Sequence, residues 1–324
     1  MNIPHESGCL NFLFLGGAKR VGMARMLANA CEKRGFGCKI TGYELSERSA
    51  LASVARIVEG KRWNDPGIFE HLDSICRTAN IDIVLPFVDG AVGVVAEFAR
   101  SHSTTGVFCP AGTRTEVDRM FDKCSAAQFF ESHGIPVPAT YRPGQPWRPL
   151  IAKPRFGSAS KGIIIIDTPE QLRQLGNNAS GYLIQERIDR REEITVDCYT
   201  GMHDGAIMAV SPRIRLEVSG GEAVRTITIA DENVDSLSRR VLETTGLRGA
   251  VTLQFIRDLD NGRLLLMEIN PRLGGGAVAS VHASVDLPGL IIDDALGRPL
   301  SPQRATAGVE TVRYLADVVF QPRQ

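Results

Sequence analysis

The chain has 324 residues, 43% hydrophobic and 23% charged, with 37 Lys and Arg balancing 37 Asp and Glu. That length exceeds one ordinary core and implies two or three domains, while the composition excludes general disorder. Zero net charge gives no reason to expect nucleic acid or an anionic membrane as partner.

No apolar run reaches the roughly 18–20 residues that cross a bilayer. The opening "MNIPHESGCLNFLFLGG" lacks the basic start and long apolar centre of a secretory leader. Seven scattered cysteines with no Cys-x-x-Cys pair argue against a disulfide framework and a zinc finger. The expectation is a soluble cytoplasmic protein.

In chain order, "LNFLFLGG" predicts a buried strand ending in a glycine turn, and "GMARMLANACEKRG" a helix stopping at Gly35. "CKITGYEL" predicts a second strand, "PGIFEHLDSICRTAN" a helix, "IDIVLPFVD" a third strand, "GAVGVVAEFARSH" a helix and "TGVFCP" a fourth strand. This alternation implies an open α/β domain with a parallel sheet, residues 1–110. Two helices, "TRTEVDRMFD" and "KCSAAQFFESHG", and the Pro-rich "IPVPATYRPGQPWRP" follow. Short strands "PLIAKP", "KGIIIID" and "GYLIQERI" come next, with one helix at "TPEQLRQLGNN" capped by Thr168, giving a small α+β module over 111–186. Residues 187–324 carry strands "EEITVDCYT", "GAIMAVSPRIRLEV" and "VRTITIA", a helix at "ENVDSLSRRVLETTG", and then a hairpin.

That hairpin, "VTLQFIRDLDNGRLLLMEINPR", turns at Asp260-Asn261-Gly262. A turn centred on Asn261 with no bulge places Gln254 opposite Glu268, and Asn270 shares their face. Three oxygen-bearing side chains then converge, which suits a hard divalent cation shared with substrate phosphates. A generic polar strand face is usually a solvent face. Here Leu264–Met267 is apolar on both faces, so the strand is expected to be buried, and a buried Glu268 needs a partner.

"LQFIRDLDNGRLLLMEINPR" resembles the C-terminal ATP-binding motif of the ATP-grasp superfamily, especially its carbamoyl-phosphate-synthase-like branch. The resemblance implies an ATP-grasp fold: a pre-ATP-grasp α/β domain, a small lid and a C-terminal α+β domain with the metal site. It also implies that Gln254, Glu268 and Asn270 hold two Mg²⁺ ions, with Mn²⁺ as a substitute, and that Arg272 and Lys153 stabilise the moving phosphoryl group.

In "IAKPRFGSASKGIIII", Lys153 ends a strand and a small-residue loop leads into another strand. No helix follows, so this is not a Walker A loop. Taken alone it is as readily an ordinary hairpin connection. The resemblance implies a loop closing on the β- and γ-phosphates through Gly157, Ser158, Ser160 and Gly162. In "LIQERIDRREEITVD" it implies adenine recognition at the hinge by Glu186, through its backbone, and Ile188, with Glu193 at the ribose. It puts Lys123 at the α-phosphate and leaves Arg215, Arg225 and His282 without a fixed place. The segments "FLFLGGAKRVGMA" and "IDIVLPFVDGAV" resemble the pre-ATP-grasp domain, whose loops help to bind the substrate to be activated. The three glycines after Arg272 are expected to leave room for the acyl-phosphate and the incoming nucleophile.

The function so implied is an ATP- and Mg²⁺-dependent, ADP-forming ligase that activates a small carboxylate as an acyl-phosphate for attack by an amine. Alternatives are a non-catalytic or regulatory ATP-binding protein and a kinase-like acyl-phosphate former. "GGAKRVG" also suggests a nicotinamide-linked dehydrogenase, but it is not Gly-x-Gly-x-x-Gly. Similar enzymes commonly form homodimers, though no exposed apolar stripe in the sequence argues for it.

Overall fold

The computed structural model describes residues 8–101, 106–157 and 161–321. The first domain is built from β1 (Cys9–Leu15), α1 (Val21–Glu32), β2 (Gly37–Glu44), β3 (Arg56–Glu59), α2 (Ile68–Thr78), β4 (Ile83–Pro86) and α3 (Asp89–Ser101). Its strands are all parallel in the order β3-β2-β1-β4. The continuous apolar run of β1 is explained by burial on both faces. Phe12 and Phe14 enter the core shared with α1, while Leu13 and Leu15 enter the core shared with α2 and α3.

The predicted fourth strand, "TGVFCP", contributes only an isolated bridge between Phe108 and Ile83. The fourth strand is instead Arg56–Glu59, four residues with charged ends. It is too short for alternation to have marked it.

Next come α4 (Arg114–Phe121) and α5 (Lys123–Ser132), whose Met120 and Phe130 belong to the core of the large sheet described below. The small antiparallel sheet comprises β5 (Leu150–Pro154), β6 (Ile164–Ile166) and β7 (Tyr182–Glu186) in the order β6-β5-β7. Between β6 and β7 lies α6 (Pro169–Leu175). Thr168 caps it as predicted, accepting from the Gln171 N–H at 3.3 Å while the Gln171 side chain accepts from the Thr168 N–H.

The rest of the chain supplies β8 (Arg191–Thr200), β9 (Ile207–Ser219), β10 (Glu222–Thr228), α7 (Glu232–Thr245), β11 (Gly249–Asp258) and β12 (Leu264–Asn270). After these come α8 (Val278–His282), α9 (Leu287–Ala295), β13 (Gln303–Arg304) and β14 (Glu310–Val312). Six strands lie in the order β12-β11-β8-β9-β10-β14, and β13 adds to β9.

Strand alternation gives this sheet two different faces. Ile194, Val196, Val251, Leu253, Phe255 and Ile269 form one, packed with Val234, Val241 and Leu242 of α7. The other carries Glu193, Thr195 and Asp197 on β8, Arg213 and Arg215 on β9, Gln254 on β11 and Glu268 on β12. This polar face is largely withdrawn from water: Thr195, Asp197, Arg213, Thr252 and Asn270 are all buried.

Burying charge on that face requires internal partners. Arg213 Nε donates to Asp197 Oδ2 at 2.9 Å, and Ser280 Oγ of α8 donates to the same oxygen at 2.8 Å. Among the described residues no helix is long and apolar enough to cross a membrane.

Replacing Asp197 by Ala strands a buried guanidinium and should cost about 3–5 kcal/mol of stability. Converting Arg213 to Met in that background should recover much of the loss. Urea unfolding of the two variants measures both, and a loss below about 1 kcal/mol for the single variant would contradict the pairing.

Candidate active site

The hairpin reaches the expected pairing by an unexpected route. Near the turn, Arg257 pairs with Leu264, Ile256 with Leu265 and Phe255 with Leu266. Continued without interruption, that register would set Glu268 opposite Leu253, on the apolar face. A bulge between Gln254 and Phe255 leaves Met267 as the extra residue and brings Glu268 opposite Gln254. The turn lies half a residue earlier than centring on Asn261 predicts, and the bulge makes up the difference.

Gln254 and Glu268 open into a cleft between the polar face of the large sheet and the small sheet. Its walls bring together Lys123, Lys153, Gly157, Glu186, Ile188 and Glu193 from the sequence-predicted set. Apolar cover comes from Ile151, Ile163 and Pro138, and from Ile188, Ile256 and Met267, the last three part of one small apolar cluster. The cleft therefore has an apolar part fit for a flat base and a charged part fit for phosphates.

Lys153 is 8% exposed, and its Nζ donates to Gln185 Oε1 at 3.1 Å. Burial lowers its pKa to about 8, opposed by the nearby Glu268. Burial pushes the Glu268 carboxyl upward, against the pull of Lys123 and Lys153, and Asp89 pushes in the same direction as burial. Among the described residues neither the Glu268 carboxylate nor the Gln254 amide makes a hydrogen bond or ion pair. A desolvated carboxylate without a protein partner is costly unless a cation meets it.

This donor set fits Mg²⁺. One carboxylate and amide oxygen are hard ligands, and Mg²⁺ is commonly held by one or two carboxylates together with substrate phosphates. Among the described residues no group of three His, Cys, Asp or Glu side chains could hold a metal by itself.

Asn270 and Arg272 adjoin the cleft without lining it. Buried Asn270 accepts through Oδ1 from Arg272 at 3.3 Å. Arg272 reaches across to the first domain, where its Nε donates to Asp89 Oδ1 at 2.7 Å at the start of α3.

Lys123 begins α5, and the Asp122 cap, accepting from the Cys124 and Ser125 N–H groups, offsets the unfavourable dipole position. Its Nζ donates to the Gly157 carbonyl at 2.5 Å. Arg155 grips Asp122 with two hydrogen bonds, of 2.8 and 2.6 Å, and holds that carboxyl well below the usual range. Gly157 (φ +114°) and Gly162 (φ +73°) bound the loop in backbone conformations that L side chains rarely adopt. Ser158 and Ser160 lie outside the described residues.

The Glu186 carboxylate is already occupied by the Ala139 N–H at 2.9 Å and by Arg263 at 3.0 and 3.1 Å, and the Glu186 N–H donates to the Ala139 carbonyl at 2.9 Å, so of its backbone the carbonyl is the group left for the hinge. Glu193 pairs with Arg191 at 3.1 Å and Arg215 at 2.9 Å. Arg215, unplaced by sequence, is thus a cleft residue, and burial lowers its pKa. Arg225 lies away from the cleft, paired with Glu217 and Glu310. His282 ends α8 exposed and is not among the cleft residues.

The glycines after Arg272 do not hold open space for ligands. A Cβ on Gly275 would lie 2.9 Å from an Arg20 nitrogen, one on Gly276 2.7 Å from an Arg213 nitrogen, and one on Gly274 2.9 Å from Thr252 Oγ1. They make room for the protein's own guanidinium groups.

Sequence reading missed Ile151, Lys161, Arg191, Ile256 and Met267. Ile151, two residues before Lys153, and Ile256, two after Gln254, were findable by strand alternation; Lys161 and Arg191 carried no signal beyond charge.

Because Lys153 titrates near 8 instead of 10.5, the unfolded chain binds more protons between those values, so this residue makes stability rise with pH across that window. Below about pH 8 its full burial penalty is present. Lys153→Met should flatten the rise and stabilise the nucleotide-free protein at pH 7 by roughly 3 kcal/mol. Unfolding curves from pH 7 to 10.5 on both proteins check it.

Residues 180–318 match the family described as "ATP-grasp in the biosynthetic pathway with Ter operon". The arginine-specific large chain of carbamoyl phosphate synthase from Bacillus subtilis is 21% identical over 268 residues, covering 74% of this chain. The chain spans 24% of the length of that curated relative. Biotin carboxylase from Campylobacter jejuni, solved as a β-γ-ATP complex, superimposes with a TM-score of 0.72 at 17% identity, covering 92% of this chain and 73% of that one. L-amino acid ligase from Bacillus licheniformis gives 0.67 at 16%, covering 90% and 75%. At these identities the structural likeness is one of fold.

Proposed function

We propose that the chain, which matches an ATP-grasp family model over residues 180–318 and shares the fold of ATP-grasp neighbours, is an ATP- and Mg²⁺-dependent ligase, forming ADP, that joins a small carboxylate to an amine or amino acid. The observation that carries this reading is the partnerless Glu268 opposite Gln254, in a cleft that also holds Lys123 and Lys153. The names of an amino acid ligase and a carbamoyl phosphate synthase among the similar proteins support the same class of chemistry.

In this reading the adenine lies among Ile151, Ile188 and Ile256, with the hinge backbone at its edge, and Glu193 faces the ribose. Glu268 and Gln254, with Asn270 behind them, would hold Mg²⁺, two ions in this reading with Mn²⁺ able to substitute, and the metal would supply charge neutralisation for the phosphates. Lys123 lies toward the α-phosphate. Lys153 is half deprotonated near pH 8 in the empty protein, and phosphate oxygens beside it favour its charged form.

A substrate carboxylate oxygen attacks the γ-phosphorus, the bond to the β,γ-bridging oxygen breaks, and ADP leaves. The amine then attacks the acyl carbon, phosphate departs, and the amine loses a proton. No protein nucleophile is needed: Lys153 contributes positioning and charge stabilisation. Arg272 joins it once the carboxylate competes with Asp89 for its guanidinium. A cytoplasmic setting with abundant Mg·ATP goes with this reading.

Glu268→Gln should lower Mg·ATP turnover by at least about 10²-fold, the scale seen when one group stabilising transition-state charge is removed, with the metal-free protein no less stable to unfolding than the parent. Near-normal turnover in that variant would remove the hairpin from the mechanism.

Product analysis with Mg·ATP, pooled carboxylates and pooled amines should give ADP and phosphate dependent on both pools. ADP dependent on the carboxylate alone would indicate the kinase-like reading, AMP a different chemistry, and tight ATP binding without turnover a regulatory protein.

A further inference from the structure

A second cleft lies in the first domain, at the carboxyl ends of β1 and β2 and beside Val88, which follows β4. The chain leaves β1 for β2 on one side and reaches β4 on the other, so the β1–β4 boundary is the place where a parallel sheet opens a crevice for ligands.

The walls are strongly biased in charge. Five basic side chains, Lys19, Arg20, Arg48, Lys61 and Arg62, stand against two carboxylates, Glu44 and Glu222, in a chain of zero net charge. Other arginines of this chain are well matched, and Arg34, Arg257 and Arg263 each span two carboxylates. In the cleft, Lys61 has Asp65 at 3.2 Å, but among the described residues the side chains of Lys19, Arg48 and Arg62 form no hydrogen bond or ion pair.

Arg20 is the inner member. Among the described residues its Nε and one terminal nitrogen are buried with no hydrogen-bond partner, and its one ion pair, to Glu222, is long at 3.9 Å. Burial and the neighbouring Arg272 and Arg313 all disfavour its charge. Packed against Gly275, it marks the end of the cleft nearest Arg272 and the hairpin. Arg48 and Arg62 are exposed at the outer part. Between them Trp63, stacked on Tyr43 with ring centroids 6.1 Å apart, offers a flat apolar wall.

We infer that this cleft binds a small molecule with anionic groups at both ends of a short carbon skeleton: an inner carboxylate on Arg20, an outer carboxylate or phosphate on Arg48 and Arg62, and the skeleton against Trp63. The assignment of the inner group as the one that is activated rests on the ligase reading; the anion-binding site itself does not. A monoanion would leave the outer pair of guanidinium groups unmatched, so the second charge is the specificity element.

Calorimetric titration of the full chain without nucleotide tests this. The probes are succinate and glutarate for two carboxylates, O-phospho-L-serine for a phosphate with a carboxylate, and butyrate and L-serine as controls. At least one of the first three should bind tenfold or more tightly than the controls. The R48A/R62A double variant should weaken that binding tenfold or more, with Mg·ATP titration and a thermal unfolding curve as checks that it has folded. Which probe wins separates an outer carboxylate from an outer phosphate. Dianions binding no better than the controls, or binding equally to the folded double variant, would overturn the inference. Dianion binding without any Mg·ATP binding would sustain it and sink the ligase reading alone.

Discussion

One extra residue in a strand determines which side of the large sheet the chemistry occupies. The apolar face, with Leu253, Phe255 and Ile269, is a core surface; the opposite face carries Glu193, Thr195, Asp197, Arg213 and Gln254. With the register set at the turn, Glu268 would point into the core. The bulge at Met267 returns it to the polar side and sets Met267 beside it in the cleft. Every other member of the candidate site is positioned relative to that carboxylate.

A buried polar face is stable only if its charges are matched, and this one is matched unevenly. Asp197 is met by Arg213 and Ser280, which fastens α8 to the sheet, while one buried terminal nitrogen of Arg213 finds no hydrogen-bond partner among the described residues. Glu193 is shared by Arg191 and Arg215, and Arg272 is held by Asp89 from the first domain. Among the described residues Glu268 has no such partner, while Lys153 has only a neutral amide. In this cleft Glu268 and Lys153 are the two groups that a phosphate and its counter-ion would complete. Pre-formed, desolvated charge of this kind is what electrostatic stabilisation of phosphoryl transfer requires.

The junction between the domains follows the same logic in the opposite sign. Arg20, Arg213, Arg272 and Arg313 gather around the 274–276 loop, where small residues permit the approach of Arg20 and Arg213. Asp197, Asp89 and Glu222 neutralise part of this charge. Arg20 keeps buried nitrogens without hydrogen-bond partners, facing the basic cleft of the first domain. The cleft with the unmatched carboxylate and the neighbouring cleft with unmatched guanidinium groups are complementary in charge.

The sequence by itself determined the elements and their faces. Alternation, turn residues and caps act over a few positions, so β1, the Thr168 cap and the Asp260–Gly262 turn were legible from neighbours alone, whereas Gln254 and Glu268 share a face only because the bulge cancels the shift in the turn. So was the strand ending at Lys153. It did not mark Arg56–Glu59, whose pairing depends on an adjacent β2 and not on its own four residues. It also misread the glycines after Arg272, because their neighbours Arg20 and Arg213 are distant in the chain. Only the tertiary structure decided that Arg272 meets Asp89, that Arg215 enters the cleft while Arg225 stays outside, and that a bulge corrects the hairpin's phase. Those outcomes depend on distances between segments tens to hundreds of residues apart, and on which charges burial leaves without a partner. Local residue patterns contain neither.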